Sequence, residues 1–120
     1  MAEALCHAMG HEAASAGLSA VDGAAASANA VQAMRERGLD LSHHQARTVR
    51  EAMLREADLI VCMTEGHARM LAARFPAYLD KIAVMPRAIP DPYGLSLAEY
   101  RRCADAIAEG LRTLERAVRR

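Results

Sequence analysis

Two short runs constrain this chain more than any other feature. D-L-I-V-C-M from Asp58 to Met63 and K-I-A-V-M from Lys81 to Met85 are apolar after their first residue. They are too short for buried helices and show no polar alternation, so each reads as a strand covered on both faces. A helix over roughly Glu65 to Arg74 separates them and Pro76 ends it. Strands joined through a helix pair in parallel by a right-handed crossover, which predicts an α/β fold with a doubly wound parallel sheet. Ligands of such sheets bind beyond the carboxyl ends of the strands.

The remaining elements fit that frame. Met1 to about Ala14 reads as a first helix, and S-A-G-L (Ser15 to Leu18) could open a strand. Asp22 and Gly23 punctuate the chain before a second helix that runs to about Arg37, with Gly38 as its stop. Thr48 with Glu51 has the S/T-x-x-E spacing of a capping box for a short third helix, and Ser96 with Glu99 has it for the last one. Leu97, Tyr100, Ala104, Ile107, Leu111, Leu114 and Val118 then recur every three or four residues, one apolar stripe on a long final helix.

The 120 residues suit a single domain spanning 1–120. Aromatic residues are 3% of the chain against 52% apolar, so aliphatic side chains and methionine must fill its core. Fifteen basic and fifteen acidic residues cancel, so no overall field recruits nucleic acid or an anionic membrane. No apolar run approaches bilayer length, and the N-terminus lacks the pattern of a secretion signal. Cys6, Cys62 and Cys103 are odd in number and widely spaced, which fits a reducing cytoplasm better than a disulfide framework. His7 and His11 have metal-compatible spacing, but no third ligand is placed beside them; a solvated helix face is the simpler reading, with neither metal nor cofactor expected.

I-P-D-P-Y-G (Ile89 to Gly94) follows the second apolar run and therefore lies on the ligand-binding edge. Pro90 and Pro92 remove backbone freedom on both sides of Asp91. Two readings stay open at this level: a rigid turn in which Asp91 satisfies nearby N–H groups, or a carboxyl group held at fixed reach for proton transfer.

M-A-E-A-L opening a helix, S-A-G-L, A-x2-A-M-x-E-R-G-L-D-L-S-H-H-x-A-R, A-D-L-I-V-C-M-T and I-P-D-P-Y-G, in this order and at these distances, resemble the low-molecular-weight protein tyrosine phosphatase family. Its bacterial branch, which includes protein arginine phosphatases, is nearest. The resemblance implies a three-layer α/β domain with sheet order 2-1-3-4 and dephosphorylation of phosphotyrosine or phosphoarginine proteins through a cysteinyl-phosphate. It also implies a C-x5-R-S-P phosphate loop after the first strand and before M-A-E-A-L. That loop and strand are not in these residues: six positions beyond Cys6, Cys62 and Cys103 stand Glu12, Ala68 and Glu109. The expectation is an N-terminally truncated domain, inactive as written, whose interior first strand is missing. Its unpaired neighbour strand would leave it marginally stable or drive homodimerisation or strand exchange.

By the same resemblance, Asp91 matches the general acid and Tyr93 the aromatic wall of the substrate cleft. Gly94 stands where many phosphotyrosine-specific members carry a second aromatic residue, which leaves the choice of substrate open. Ser15, Ser42 and His43 match polar positions that brace the phosphate loop, with a helix or turn cap as the alternative for Ser42 and His43. Arg47 is assigned no role. The partner is then a phosphorylated protein or a small phosphoester. A related arsenate-reductase chemistry would need a resolving cysteine pair that is not recognisable. Two rivals remain: a non-catalytic binding module that keeps the fold, and a chain whose strand and loop are donated by a second polypeptide.

Overall fold

The computed structural model describes residues 1–18 and 22–118. The chain runs α1 (Ala2–Ala8), α2 (Ala28–Arg35), α3 (Glu51–Glu56), β1 (Ile60–Cys62), α4 (Glu65–Arg74), a 3-10 segment (Pro76–Lys81), β2 (Ile82–Val84) and α5 (Leu97–Val118). Both apolar runs are strands, paired in parallel with Ile60 opposite Ile82 and Cys62 opposite Val84. Between them α4 makes the crossover, and the Thr64 hydroxyl caps its start by accepting from His67 N at 3.2 Å.

Alternation along the short strands divides the apolar residues between two cores. Val61 faces a larger core built on Leu5 of α1, Met34 of α2, Met85, and Tyr100, Ala104 and Ile107 of α5. Ile60, Cys62 and Ile82 face a smaller one built on Leu54 of α3 and Leu71 of α4. The sheet is thus sandwiched between helices, the layering expected of an α/β domain. Within the predicted stripe of α5, Tyr100, Ala104, Ile107 and Leu111 are buried, while the Val118 side chain lies outside the described set. Gly110 lets this helix close on the end of β2: a Cβ there would meet Met85 Sδ at 2.8 Å. Close packing therefore outweighs the helix-propensity cost of a mid-helix glycine.

Four local expectations are corrected. The first helix stops at Ala8 instead of running to about Ala14; His7, Ala8, Gly10, His11 and Glu12 are exposed, so no apolar face is left to hold further turns. S-A-G-L is not a strand, because only Gly17 finds a pairing partner, in an isolated bridge to Thr48. The capping box at Thr48 and Glu51 does not form: Arg50 occupies the N-cap without a side-chain bond, and Thr48 N instead donates to Asp22 Oδ1 at 2.6 Å. The second helix begins only at Ala28, where Ser27 Oγ accepts from Ala30 N.

Among the described residues the sheet has two strands, and the second edge of β1 carries no ladder. Among the described residues no helix is long and apolar enough to cross a membrane.

Candidate functional site

Past β2 the chain leaves the sheet at the carboxyl ends of both strands. Met85 N donates to Cys62 O and Ile89 N to Met63 O, each at 3.0 Å, so the segment stays anchored as far as buried Ile89. Beyond it the prolines have no N–H to give, and the chain makes its own turns. Asp91 Oδ1 accepts from Tyr93 N at 3.0 Å, and Leu95 N donates to Pro92 O at 2.9 Å. Gly94 stands third in that second turn with φ 79°, a conformation that type II turns require and that side chains with a Cβ resist. Ser96 Oγ then accepts from Glu99 N at 3.4 Å and opens α5.

The turn reading of Asp91 is thus realised, yet it uses only one carboxylate oxygen. Asp91 is exposed, and its other oxygen has no hydrogen-bond partner among the described residues. Tyr93 is 80% exposed beside it. Burial pushes the Cys103 thiol up, the Met1 amino group pulls it down and the Asp91 carboxylate pushes it up again, so all three share one electrostatic neighbourhood.

A second cluster forms around Glu3 in the first turn of α1. Its Oε1 accepts from Ser15 Oγ at 3.1 Å and from Arg47 Nη2 at 3.1 Å, while Arg47 Nε donates to Ser15 O at 3.0 Å. His44 Nδ1 stands 3.7 Å from Oε2. Burial alone would raise the Glu3 carboxyl, but the Ser15 hydrogen bonds and the charges of His44 and Arg47 outweigh it and hold the group below the usual glutamate range. One carboxylate thereby ties α1 to the chain around Ser15 and around Arg47, where sequence spacing alone predicts no meeting.

A carboxyl depressed in the fold contributes stability that is complete above the unfolded glutamate range and is lost as pH falls through it, here below about 4.3. The chain should therefore lose on the order of 1 kcal/mol more between pH 6 and pH 3.5 than its Glu3→Gln variant, as read from urea midpoints at each pH.

The structure brings Ser15 into this cluster but places Ser42 elsewhere: Ser42 N and Oγ both donate to Asp40 Oδ1, at 2.8 and 2.5 Å, in a local turn. His43 is exposed and borders a concave surface of about 420 Å³ with Glu3, Asp22, His44, Arg47 and Arg50. Glu3 and His44 escaped sequence reasoning. Glu3 stood in plain view in M-A-E-A-L, and the doubled histidine was the one signal that its second member could be the inward-facing one. Asp91 and Tyr93 share one loop and lie apart from the Glu3 cluster in sequence.

The thiols of all three cysteines are raised. Cys62 is 8% exposed and burial pushes its thiol up; burial also raises Cys6, helped by Glu115, and Cys103. A reactive thiolate needs the opposite shift. Among the described residues no group of three or more His, Cys, Asp or Glu side chains could hold a metal ion.

The family described as low molecular weight phosphotyrosine protein phosphatase matches residues 1–120. A protein-arginine-phosphatase of Bacillus subtilis is 29% identical over 113 residues, covering 88% of this chain and 75% of that protein. The low molecular weight protein-tyrosine-phosphatase Wzb of Salmonella typhi is 33% identical over 111 residues, 88% of this chain and 70% of its own. Among solved structures, the low molecular weight protein tyrosine phosphatase of T. tengcongensis superposes with a TM-score of 0.88 at 34% identity, covering 97% of this chain and 88% of that one. The YwlE arginine phosphatase of Geobacillus stearothermophilus gives a TM-score of 0.91 at 26% identity over 98% of this chain and 82% of the other.

Proposed function

The chain belongs to the low molecular weight phosphotyrosine protein phosphatase family, and from that premise we propose that Asp91 is the general acid of a phosphate-ester or phosphoramidate hydrolase whose site lies at the start of α1. The observation that carries this reading is the acid loop itself. Two prolines, an Asx turn and a type II turn fix an exposed carboxylate at the carboxyl edge of the sheet and leave one oxygen unengaged.

The chemistry then has two steps. A cysteine thiolate attacks phosphorus while protonated Asp91 gives its proton to the departing oxygen or nitrogen. Asp91, now a carboxylate, takes a proton from the water that attacks the cysteinyl-phosphate, and inorganic phosphate leaves with the thiolate restored. Tyr93 walls the cleft against the substrate side chain. Relatives named for phosphotyrosine and for phosphoarginine chemistry both support a phosphorylated protein as substrate, and Gly94 beside Tyr93 leaves room that a second aromatic would fill.

The nucleophile and its arginine would come from outside these 120 residues, since no cysteine here is followed six positions later by arginine. A strand leading into such a loop would find an unladdered edge on β1 and deliver the loop to α1, where the Glu3–Ser15–Arg47 cluster would brace its exit. Three unpaired cysteines are consistent with work in a reducing cytoplasm. A second reading has these residues act as a binding module that keeps the fold without turnover.

Hydrolysis of para-nitrophenyl phosphate by the 120-residue chain, beside a form with a strand and C-x5-R-S-P joined ahead of Met1, separates these readings. Turnover only in the longer form supports the phosphatase. Turnover by the short chain, lost in Asp91→Ala, overturns the claim that the nucleophile lies outside. Failure of both hands the site to the binding-module reading.

A further inference from the structure

We infer that Asn29, at the start of α2, is the positioning residue of the acid loop: its side-chain amide hooks the far end of the Asp91 turn and fixes where that carboxylate points. The inference rests on the general-acid reading of Asp91.

At its near end the loop is anchored to the sheet through Ile89 N and Met63 O. From Pro90 to Leu95 every hydrogen bond given by a backbone N–H stays within the loop, because Pro90 and Pro92 have none to give and those of Tyr93 and Leu95 serve Asp91 and Pro92. Packing does little here, since Asp91, Tyr93, Gly94 and Leu95 are exposed and Leu95 shows 52% of its surface. Among the described residues, one hydrogen bond joins this outer half to another element: Asn29 Nδ2 donates to Leu95 O at 3.1 Å.

A chain of hydrogen bonds therefore leads from α2 to the carboxylate. Asn29 holds Leu95, Leu95 N holds Pro92 O to close the type II turn, and Tyr93 N within that turn holds Asp91 Oδ1. The far support is packed on α5. Met34 of α2 is fully buried against α5, and Arg101 grips Glu36 through two bonds of 2.8 and 2.6 Å while Arg37 reaches Asp105 at 2.7 Å. Asn29 suits the task because its amide donates to a carbonyl, which no carboxylate or aliphatic side chain of its size does.

Asn29→Asp isolates the hook. It keeps the shape, places a carboxylate in the first turn of α2 where the helix dipole favours it, and sets that carboxylate against Leu95 O with no proton to share. In the 120-residue chain at pH 7, amide hydrogen exchange at Tyr93 and Leu95 should rise about 2- to 10-fold, the range one hydrogen bond sets, while the amides of α2 hold their protection. In the phosphate-loop-carrying form, kcat/KM should fall about 3- to 10-fold for phenyl phosphate and less for para-nitrophenyl phosphate. That ratio reports departure of the leaving group, whereas water attack on the cysteinyl-phosphate is common to both esters. Phenolate, the poorer leaving group, needs the proton more; a loss of general stability would slow both substrates alike.

Unchanged exchange at Tyr93 and Leu95 overturns the inference whatever the enzymology shows. So does an Asn29→Asp enzyme whose losses are equal for the two esters while Asp91→Asn shows the leaving-group dependence. If Asp91→Asn itself lacks that dependence, the general-acid reading has failed, and the positioning role falls with it even where the exchange rises.

Discussion

In the phosphate-loop-carrying protein, Asp91→Asn should lower kcat/KM for phenyl phosphate by about 100- to 10,000-fold, the range that a positioned general acid supplies. Asparagine is the informative substitution because it separates the two readings of the I-P-D-P-Y-G loop. Its side-chain oxygen can accept from Tyr93 N as Asp91 Oδ1 does at 3.0 Å, so the Asx turn survives. What it cannot do is give up a proton. A residue that only shapes a turn would tolerate the change with near-normal kcat; one that protonates a leaving group would not. The ester dependence sharpens the comparison, since para-nitrophenolate leaves with little help and its kcat/KM should fall much less, while the water step that Asp91 also serves is common to both esters. Near-equal rates for the two variants of the loop, with phenyl phosphate as substrate, would return Asp91 to a structural role.

The parts of this molecule that were legible in the sequence are those whose causes are local. Two apolar runs of strand length, an intervening helix ended by a proline, and a stripe of apolar residues every three or four positions are each dictated within a dozen neighbours. β1, β2, α4 and α5 appear where those patterns place them. The acid loop is local as well, because two prolines and a glycine leave few backbone choices. What escaped was set by residues distant in the chain. Thr48 fits a capping box by spacing, but Asp22 claims its N–H and holds it two residues short of α3. Ser42 could equally brace a neighbour or close a turn, and Asp40 two positions before it decides the matter. Glu3 meets Arg47 across 44 positions and Asn29 meets Leu95 across 66, and no periodicity encodes either pair. The side chains that orient a candidate site are therefore harder to read than those that do its chemistry, because orientation is a property of the assembled fold.

Stability should depend most steeply on the side chain that joins α2 to this assembly. Met34 has no exposed surface and lies in the larger core, which gathers α1, α2, α5 and the end of β2. Met34→Ala should remove about 2–5 kcal/mol of unfolding free energy, because the lost transfer energy adds to a cavity that rigid helix neighbours cannot close. Met34→Leu, nearly equal in volume, should cost less than about 1.5 kcal/mol. Leu79→Ala provides the contrast: that side chain is 59% exposed on the 3-10 segment and should shift the urea midpoint little. Urea unfolding followed by far-UV circular dichroism reads all three. A Met34→Ala midpoint indistinguishable from that of Leu79→Ala would mean that α2 is not seated on the core as described. The consequence reaches the site. Asn29 stands five residues before Met34 on the same helix, so a helix that has lost its seat also carries a loosened hook. Amide exchange at Tyr93 and Leu95 should then rise in Met34→Ala together with that of α2, whereas in Asn29→Asp it rises alone.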